Sequence, residues 1–334
     1  MSRTTVNGQL RPRWPKFARR AGLAGAAAAL ALLLWPPGAT AAYPNPGLVT
    51  GDIGIHDPSM IRTDSGYALY GSNNLLDART SPDRTAFSNA GSAFTGPQSW
   101  WSRYSPEQSP WAPDISYHNG TYWMYYAVSS FGSNTSAIGL ATSDTGLPGS
   151  FTDQGIVHST SSDSDYNAID PSLLVDDDGT WWLAFGSWWS GIKMIQLDPA
   201  TGKQHPDHTE VHSLASAEGG IEGPALIKHG DHYYLFNSYG TCCAGTDSTY
   251  HIKVGRSTSP TGPYADADGR SLLAGGGTFV LESHGRFIGP GGQSVLSDTD
   301  GDLLVYHYYD GEDNGAPKLG VNLLDWSSGW PVAY

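Results

Sequence analysis

Asp170-Pro171-Ser172-Leu173-Leu174-Val175, a turn at Asp178-Gly179, then Thr180-Trp181-Trp182-Leu183-Ala184-Phe185 is the stretch from which the fold is read. An acidic residue beside proline opens it, and an Asp-Gly pair separates two short apolar runs. Asp-Gly or Asn-Gly between such runs signals a hairpin, because the tight turn that matches strand twist needs positive φ at both central residues. The layout occurs upstream as His56-Asp57-Pro58-Ser59-Met60-Ile61-Arg62, turning at Asp64-Ser65-Gly66 into Tyr67-Ala68-Leu69-Tyr70. It returns as Ala112-Pro113-Asp114-Ile115 with Asn119-Gly120, and as Glu222-Gly223-Pro224-Ala225-Leu226 with Gly230-Asp231. A fifth copy runs from Gly289-Pro290-Gly291 to Leu296 and turns at Asp300-Gly301.

The anchors Asp57, Asp114, Asp170 and Glu222 stand 57, 56 and 52 residues apart, with the fifth copy about 68 further on. After each hairpin there is room for a third and fourth strand, such as Ala137-Ile138-Gly139-Leu140-Ala141-Thr142 or His251-Ile252-Lys253-Val254-Gly255-Arg256. Four strands per repeat make one propeller blade, slightly longer than the ~40–50 residues of common blades. The expected fold is therefore all-β, a five-bladed β-propeller over residues 43–334, and no long segment has helical periodicity. A β-sandwich is the alternative, but it needs no repeated strand order. Either the segment 43–50 or the C-terminal strand can supply the closing strand of the ring.

Ahead of the repeats, residues 1–42 read as a secretory signal peptide. Arg3, Arg11, Arg13, Lys16, Arg19 and Arg20 precede the apolar run 26–35, and Ala39-Thr40-Ala41-Ala42 offers a small-residue cleavage site. The run is shorter than the ~20 residues a membrane span needs, so the expectation is a secreted, extracellular protein with no membrane contact after cleavage. Arg19-Arg20 leaves twin-arginine export open. Losing six of the 18 basic residues leaves 12 against 32 acidic ones, a formal charge of −20. Such a surface repels nucleic acid, whose binding needs clustered Lys and Arg. The two cysteines are adjacent, Cys242-Cys243, and stand as free thiols or a vicinal disulfide. A framework of disulfides would use separated cysteines, so the 12 Trp, 18 Tyr and 9 Phe must supply the core. A monomer is expected.

The first strand of each blade lines the central channel, so corresponding repeat positions converge on one axis. Asp57, Asp170 and Glu222, each beside Pro or Gly-Pro, are expected to face one another at one mouth. One Asp-Pro alone is ordinarily a turn. Three matched acids suit glycosidic cleavage, in which one carboxyl protonates the leaving oxygen and another, ionised, activates water or attacks. Crowding like charges pushes their pKa values apart. A calcium-binding ring would show denser oxygen ligands.

His56-Asp57-Pro58-Ser59, Asn167-Ala168-Ile169-Asp170-Pro171-Ser172 and Glu222-Gly223-Pro224 resemble the three signatures of glycoside hydrolase family 43. The strings Phe185 to Ile192, Ser238 to Cys243, Tyr306 to Asp310 and Gly329-Trp330-Pro331 are similar to those of its endo-1,5-α-L-arabinanases, with Trp111 before Ala112-Pro113-Asp114 in the same pattern. The resemblance implies an inverting enzyme on arabinan with Asp57 as general base, Glu222 as general acid and Asp170 orienting Glu222 and raising its pKa. Inversion implies carboxyls ~6.5–9.5 Å apart. The resemblance also implies that His307 holds an ion, usually calcium, with waters supplying most of the coordination, although a histidine ending an inner strand is ordinarily core. It places Trp111, Gly132, Asn167, Ser187, Trp188 and Trp189 at the substrate, aromatic faces packing on sugar C–H faces. One departure is Gly291-Gly292-Gln293, where the resembling string carries His-Asn after Gly-Pro-Gly. The alternatives are an exo-acting α-L-arabinofuranosidase or β-xylosidase, or a non-catalytic sugar-binding propeller, which is expected to lose one of the three acids.

Overall fold

The computed structural model describes residues 43–334; the stretch read as a signal peptide lies outside the described residues. Each of the five sequence repeats forms one antiparallel sheet. The first comprises Ser59–Thr63, Gly66–Gly71, Asp77–Ser81 and Ala86–Ser92, and the second Pro110–His118, Thr121–Val128, Ala137–Ser143 and Thr152–Ser159. The third begins Ser172–Val175, Trp181–Phe185 and Ile192–Asp198, whose last strand pairs with both Lys203–Gln204 and His212–Ala215. The fourth runs Ile221–His229, His232–Tyr239, His251–Ser257, Thr278–Leu281, and the fifth Phe287–Asp298, Gly301–Asp310, Ala316–Asp325, Val332–Ala333. Arranged around one axis they are a five-bladed β-propeller, as the repeats implied. Among the described residues the helical content is three single turns of 3-10 helix.

Apolar faces of adjacent blades pack on each other. Tyr125, Leu140, Trp181, Leu183 and Phe185 fill the seam between the second and third blades. Leu174, Leu226 and Leu235 fill the next, and Phe236, Val254, Leu304 and Tyr306 the one after. A larger cluster joins the fifth, first and second blades through Val305, Leu69, Tyr70 and Tyr126. Burying one large side chain contributes about 1.5–3 kcal/mol, so these seams hold the ring without a disulfide framework.

Two devices repeat on the innermost strands. The residue before each conserved-layout proline has positive φ: Asp57 (48°), Ala112 (42°), Asp170 (55°), Gly223 (57°) and Gly289 (57°). A residue before proline normally stays extended, and a non-glycine held at positive φ costs on the order of 1–3 kcal/mol, so the surrounding ring must enforce this kink. The second device follows the proline. Ser59 Oγ accepts from Ile115 N (3.1 Å), Asp114 Oδ2 from Leu173 N (2.7 Å) and Ser172 Oγ from Leu226 N (3.1 Å). Each of these side chains stitches its blade to the next.

These two devices correct the alignment of the acids. Asp57 and Asp170 occupy the kink itself, Glu222 precedes its kink by one residue, and Asp114 follows its own by two. Asp114 is a stitch, not a fourth member of the acidic mouth. Its side chain lines the channel below, where burial, only partly offset by the Leu173 amide, pushes its carboxyl up to about 7.

Closure does not use one shared strand. The fifth blade takes its outer strand from the C-terminus, Val332–Ala333 on Leu324 and Asp325. The N-terminal segment bridges the gap. Thr50 and Gly51 pair in parallel with Ala86 and Phe87 of the first blade, while Gly47 N donates to Val321 O and Leu319 N to Ile53 O of the fifth.

Candidate active site

The kinks bring Asp57, Asp170 and Glu222 to one end of the axis, above a cavity of about 120 Å³ lined by Asp57, Asp114, Asp170, Gly223, Tyr250 and Gln293 among others. Each acid has its own setting. Asp57 Oδ2 accepts from Ser72 Oγ at 2.5 Å and lies 2.8 Å from His56 Nδ1. Ser72 is itself held, accepting from Ala112 N at 2.8 Å. Burial opposes ionisation of Asp57, but the charge and hydrogen bond of His56, then His307 and Ser72, outweigh it and hold the carboxyl well below the usual range.

Glu222 is 9% exposed. Ser187 Oγ donates to Oε2 at 2.5 Å, and Tyr250 Oη donates to Oε1. Burial pushes the Glu222 carboxyl up, against the pull of these two donors, and the charge of Asp57 adds to the rise. Asp170 is raised further, by burial first and then by the charges of Glu222 and Asp57. Its Oδ2 accepts from Gly223 N at 3.0 Å, so it grips the backbone next to Glu222. The surroundings thus pull Asp57 toward the ionised form and push Glu222 and Asp170 toward the protonated one, the division that acid–base cleavage requires.

The expected substrate residues divide. Trp188 and Trp189 are 42% and 49% exposed on a turn with positive φ at both residues, and Trp188 packs over Gly220. Trp111 is partly exposed at the mouth. Gly132 sits exposed at φ 77°, and a Cβ there would meet nothing within 4 Å. Asn167 and Ser187 are buried, at 2% and 3% exposure. Asn167 Oδ1 accepts from Ser136 Oγ (2.6 Å) and Nδ2 donates to Ser133 O (3.2 Å), which anchors the loop carrying Gly132. Ser187 addresses Glu222.

His307 is wholly buried, its ring stacked on His56 at 3.8 Å between centroids. Nδ1 accepts from Asp57 N at 3.1 Å, and Nε2 has no hydrogen-bond partner. Among the described residues, His56, Asp57 and His307 are the group whose ligand atoms lie within 4.8 Å of one another. His56 and Asp57 spend their close atoms on each other, which leaves His307 Nε2 as the free nitrogen. The donor set fits an ion held through that nitrogen with water for the rest, as hard cations prefer oxygen. Asp57 N–H donates to Nδ1, so the neutral ring carries its proton on Nε2, and ligation there would require that proton to leave or to move to Nδ1 at the expense of this hydrogen bond.

Sequence reasoning left Ser72, Tyr250 and Tyr309 unassigned, and His56 unused. All four lie in or beside the quoted strings, but folding, not spacing, sets Ser72 and His56 on Asp57, Tyr250 on Glu222 and Tyr309 on His56. Cys242 and Cys243 form the vicinal disulfide, one of the two states the sequence allowed.

Two carboxyls at one axial mouth, Asp57 pulled down in pKa and Glu222 pushed up, are the acid–base equipment of a glycoside hydrolase. The chain belongs to glycoside hydrolase family 43, described as Glycosyl hydrolases family 43, whose model matches residues 48–331. It is 48% identical over 284 residues to the extracellular endo-α-(1→5)-L-arabinanase 1 of Bacillus subtilis, covering 83% of this chain and 87% of the relative. The structure resembles that of the endo-arabinanase from Bacillus licheniformis, with TM-score 0.80 and 46% identity over 85% of this chain and 99% of that one. It also resembles the Cellvibrio cellulosa α-L-arabinanase complexed with arabinohexaose, with TM-score 0.81 and 36% identity over 84% and 96%.

Proposed function

We propose that the protein cleaves internal α-1,5-L-arabinofuranosidic bonds of arabinan outside the cell, with inversion at the anomeric carbon. The observation that carries the mechanism is the unlike setting of two carboxyls at one mouth: Asp57 held by Ser72 and His56, Glu222 buried with Ser187 and Tyr250 on its oxygens. Asp57, held ionised, takes a proton from the attacking water. Glu222, held protonated, gives its proton to the leaving oxygen. Asp170, bound to the Gly223 amide, fixes the backbone on which Glu222 stands. Trp111, Trp188, Trp189 and Gly132 offer the sugar its walls. Identity to an extracellular endo-arabinanase supports the substrate, the endo mode and export, and the basic leader supports cleavage after residue 41 or 42.

An ion at His307 Nε2 is part of the proposal, and it would place positive charge on the axis beside Asp57. Metal content of the purified protein and a fall in melting temperature on chelation test it; metal-free protein with unchanged melting counts against it.

The deciding experiment is a product time course on linear α-1,5-arabinan, with Glu222→Ala as control. Mixed oligomers appearing first, with none from the control, support the reading. Arabinose alone from the start moves the enzyme to the exo mode, which one 39%-identical relative favours, the extracellular exo-α-(1→5)-L-arabinofuranosidase of Cellvibrio japonicus. The anomeric form of the first product, followed by NMR, tests inversion.

A further inference from the structure

Asp57 presents its two oxygens to different surroundings. Oδ2 is filled by Ser72 Oγ and His56 Nδ1. Oδ1 has no donor within hydrogen-bond distance; its nearest polar neighbour is His307 Nδ1 at 3.5 Å. Across from Oδ1 lies Gly292, where a Cβ would stand 2.4 Å away, so glycine leaves that oxygen open.

An ionised carboxylate can only accept, so His56 Nδ1 carries a proton in either charge state of the ring. The opposite nitrogen, Nε2, lies 2.8 Å from Tyr309 Oη. That oxygen also accepts from Cys243 N at 2.7 Å. The donating amide belongs to the loop tightened by the Cys242–Cys243 disulfide and by Ala244 N donating to Ser248 Oγ at 3.0 Å. Stacking on His307 fixes the plane of the His56 ring. Contacts from a loop of the fourth blade and from one strand of the fifth, Gly301–Asp310, therefore converge on one imidazole that touches the base.

We propose that His56, seated by Tyr309 and the Cys243 amide, is a positioning residue that, with Ser72, occupies Oδ2 of Asp57 and leaves Oδ1 as the oxygen that takes the proton from water. The inference rests on Asp57 being the general base. Fixing one carboxylate oxygen aims the other, and a misaimed group costs rate far more than affinity, on the order of 100-fold for ~1 Å.

The test is kcat and KM on linear arabinan for His56→Ala, His56→Asn, Tyr309→Phe and Asp57→Asn, with folding checked by circular dichroism. Asparagine puts its amide nitrogen where Nδ1 stood, so it keeps the donor to Oδ2. His56→Ala is expected to lower kcat on the order of 100-fold with KM within about threefold, and His56→Asn to recover about 10-fold of that loss. Tyr309→Phe is expected to lower kcat about 10-fold. A His56→Ala enzyme with near wild-type kcat, a loss confined to KM, or an Asn variant no better than Ala overturns the proposal. Should His56→Ala not fold, His56→Asn against His56→Gln, whose nitrogen mimics Nε2, decides the same point. Activity retained by Asp57→Asn sinks the base assignment itself, whatever His56 does.

Discussion

Ser187 was read from its string as a substrate contact, and its hydroxyl instead donates to Glu222 at 2.5 Å. That contact favours the ionised form of the acid, against burial, which favours the protonated form. The active enzyme needs Glu222 protonated and Asp57 ionised, so activity falls on the alkaline side as Glu222 deprotonates and on the acid side as Asp57 protonates. With Asp57 lowered and Glu222 raised, the bell is broad and extends above the ordinary glutamate range. Removing the hydroxyl in Ser187→Ala is expected to move the alkaline limb of kcat/KM upward; a limb that stays or moves down refutes this role. Glu222→Gln is expected to lose 10²–10⁴-fold in kcat on arabinan. Gly292 is a second residue-scale constraint: Gly292→Ala drives a Cβ toward Asp57 Oδ1 and should lower kcat at least 10-fold, with Gly285→Ala, at a similar left-handed φ but in open space, as the control for backbone strain alone. The acids were legible because Asp-Pro and Glu-Gly-Pro recur at blade spacing. Their hydrogen-bond partners were not, because Ser72, Ser187 and Tyr250 come from other strands.

At the scale of the inner strand, the kink and the stitch after it recur from blade to blade, but with side chains that differ. Ser172 accepts the amide of Leu226 in the next blade. Ser172→Ala leaves that buried amide unpaired, a loss of about 1–3 kcal/mol, visible as a lower denaturation midpoint. Asp114 performs the same stitch with a group that titrates. Its folded pKa is raised, to about 7, so its cost is absent below the ordinary aspartate range, grows as pH rises toward 7 and levels off above it. Asp114→Asn keeps an oxygen for the Leu173 amide and removes the charge. It should match the wild type at pH 4 and exceed its stability at pH 8; a variant less stable at both values counts against this account. In sequence Asp114 is a repeat anchor alongside the three acids, because it shares their proline motif. A displacement of two residues from the kink decides otherwise, and only backbone conformation reveals it.

For the molecule as a whole, stability depends on closing the ring. Asn322 sits at the join: Nδ2 donates to Asn45 O and Tyr334 O, and Oδ1 accepts from Tyr306 Oη. One buried amide thus ties both ends of the described chain to the fifth blade. Asn322→Ala is expected to cost on the order of 1–3 kcal/mol and to unfold the ring at a lower temperature without changing KM. The surplus of acidic residues bears on which polymers approach the surface, while seams such as Trp181 against Tyr125 bear on rigidity.

The sequence by itself determined the number of blades, the hairpin in each, and the three acids with their glycosidase chemistry, because turn residues, apolar runs and motif prolines are local and repeat at a fixed period. Tertiary structure alone decided that Ser187 addresses Glu222 and that Asn167 braces the loop carrying Gly132. It also decided that an N-terminal bridge, not a shared strand, closes the ring. Those outcomes depend on burial and on hydrogen bonds between residues 30 to 280 positions apart, and such distances leave no period in the chain to read.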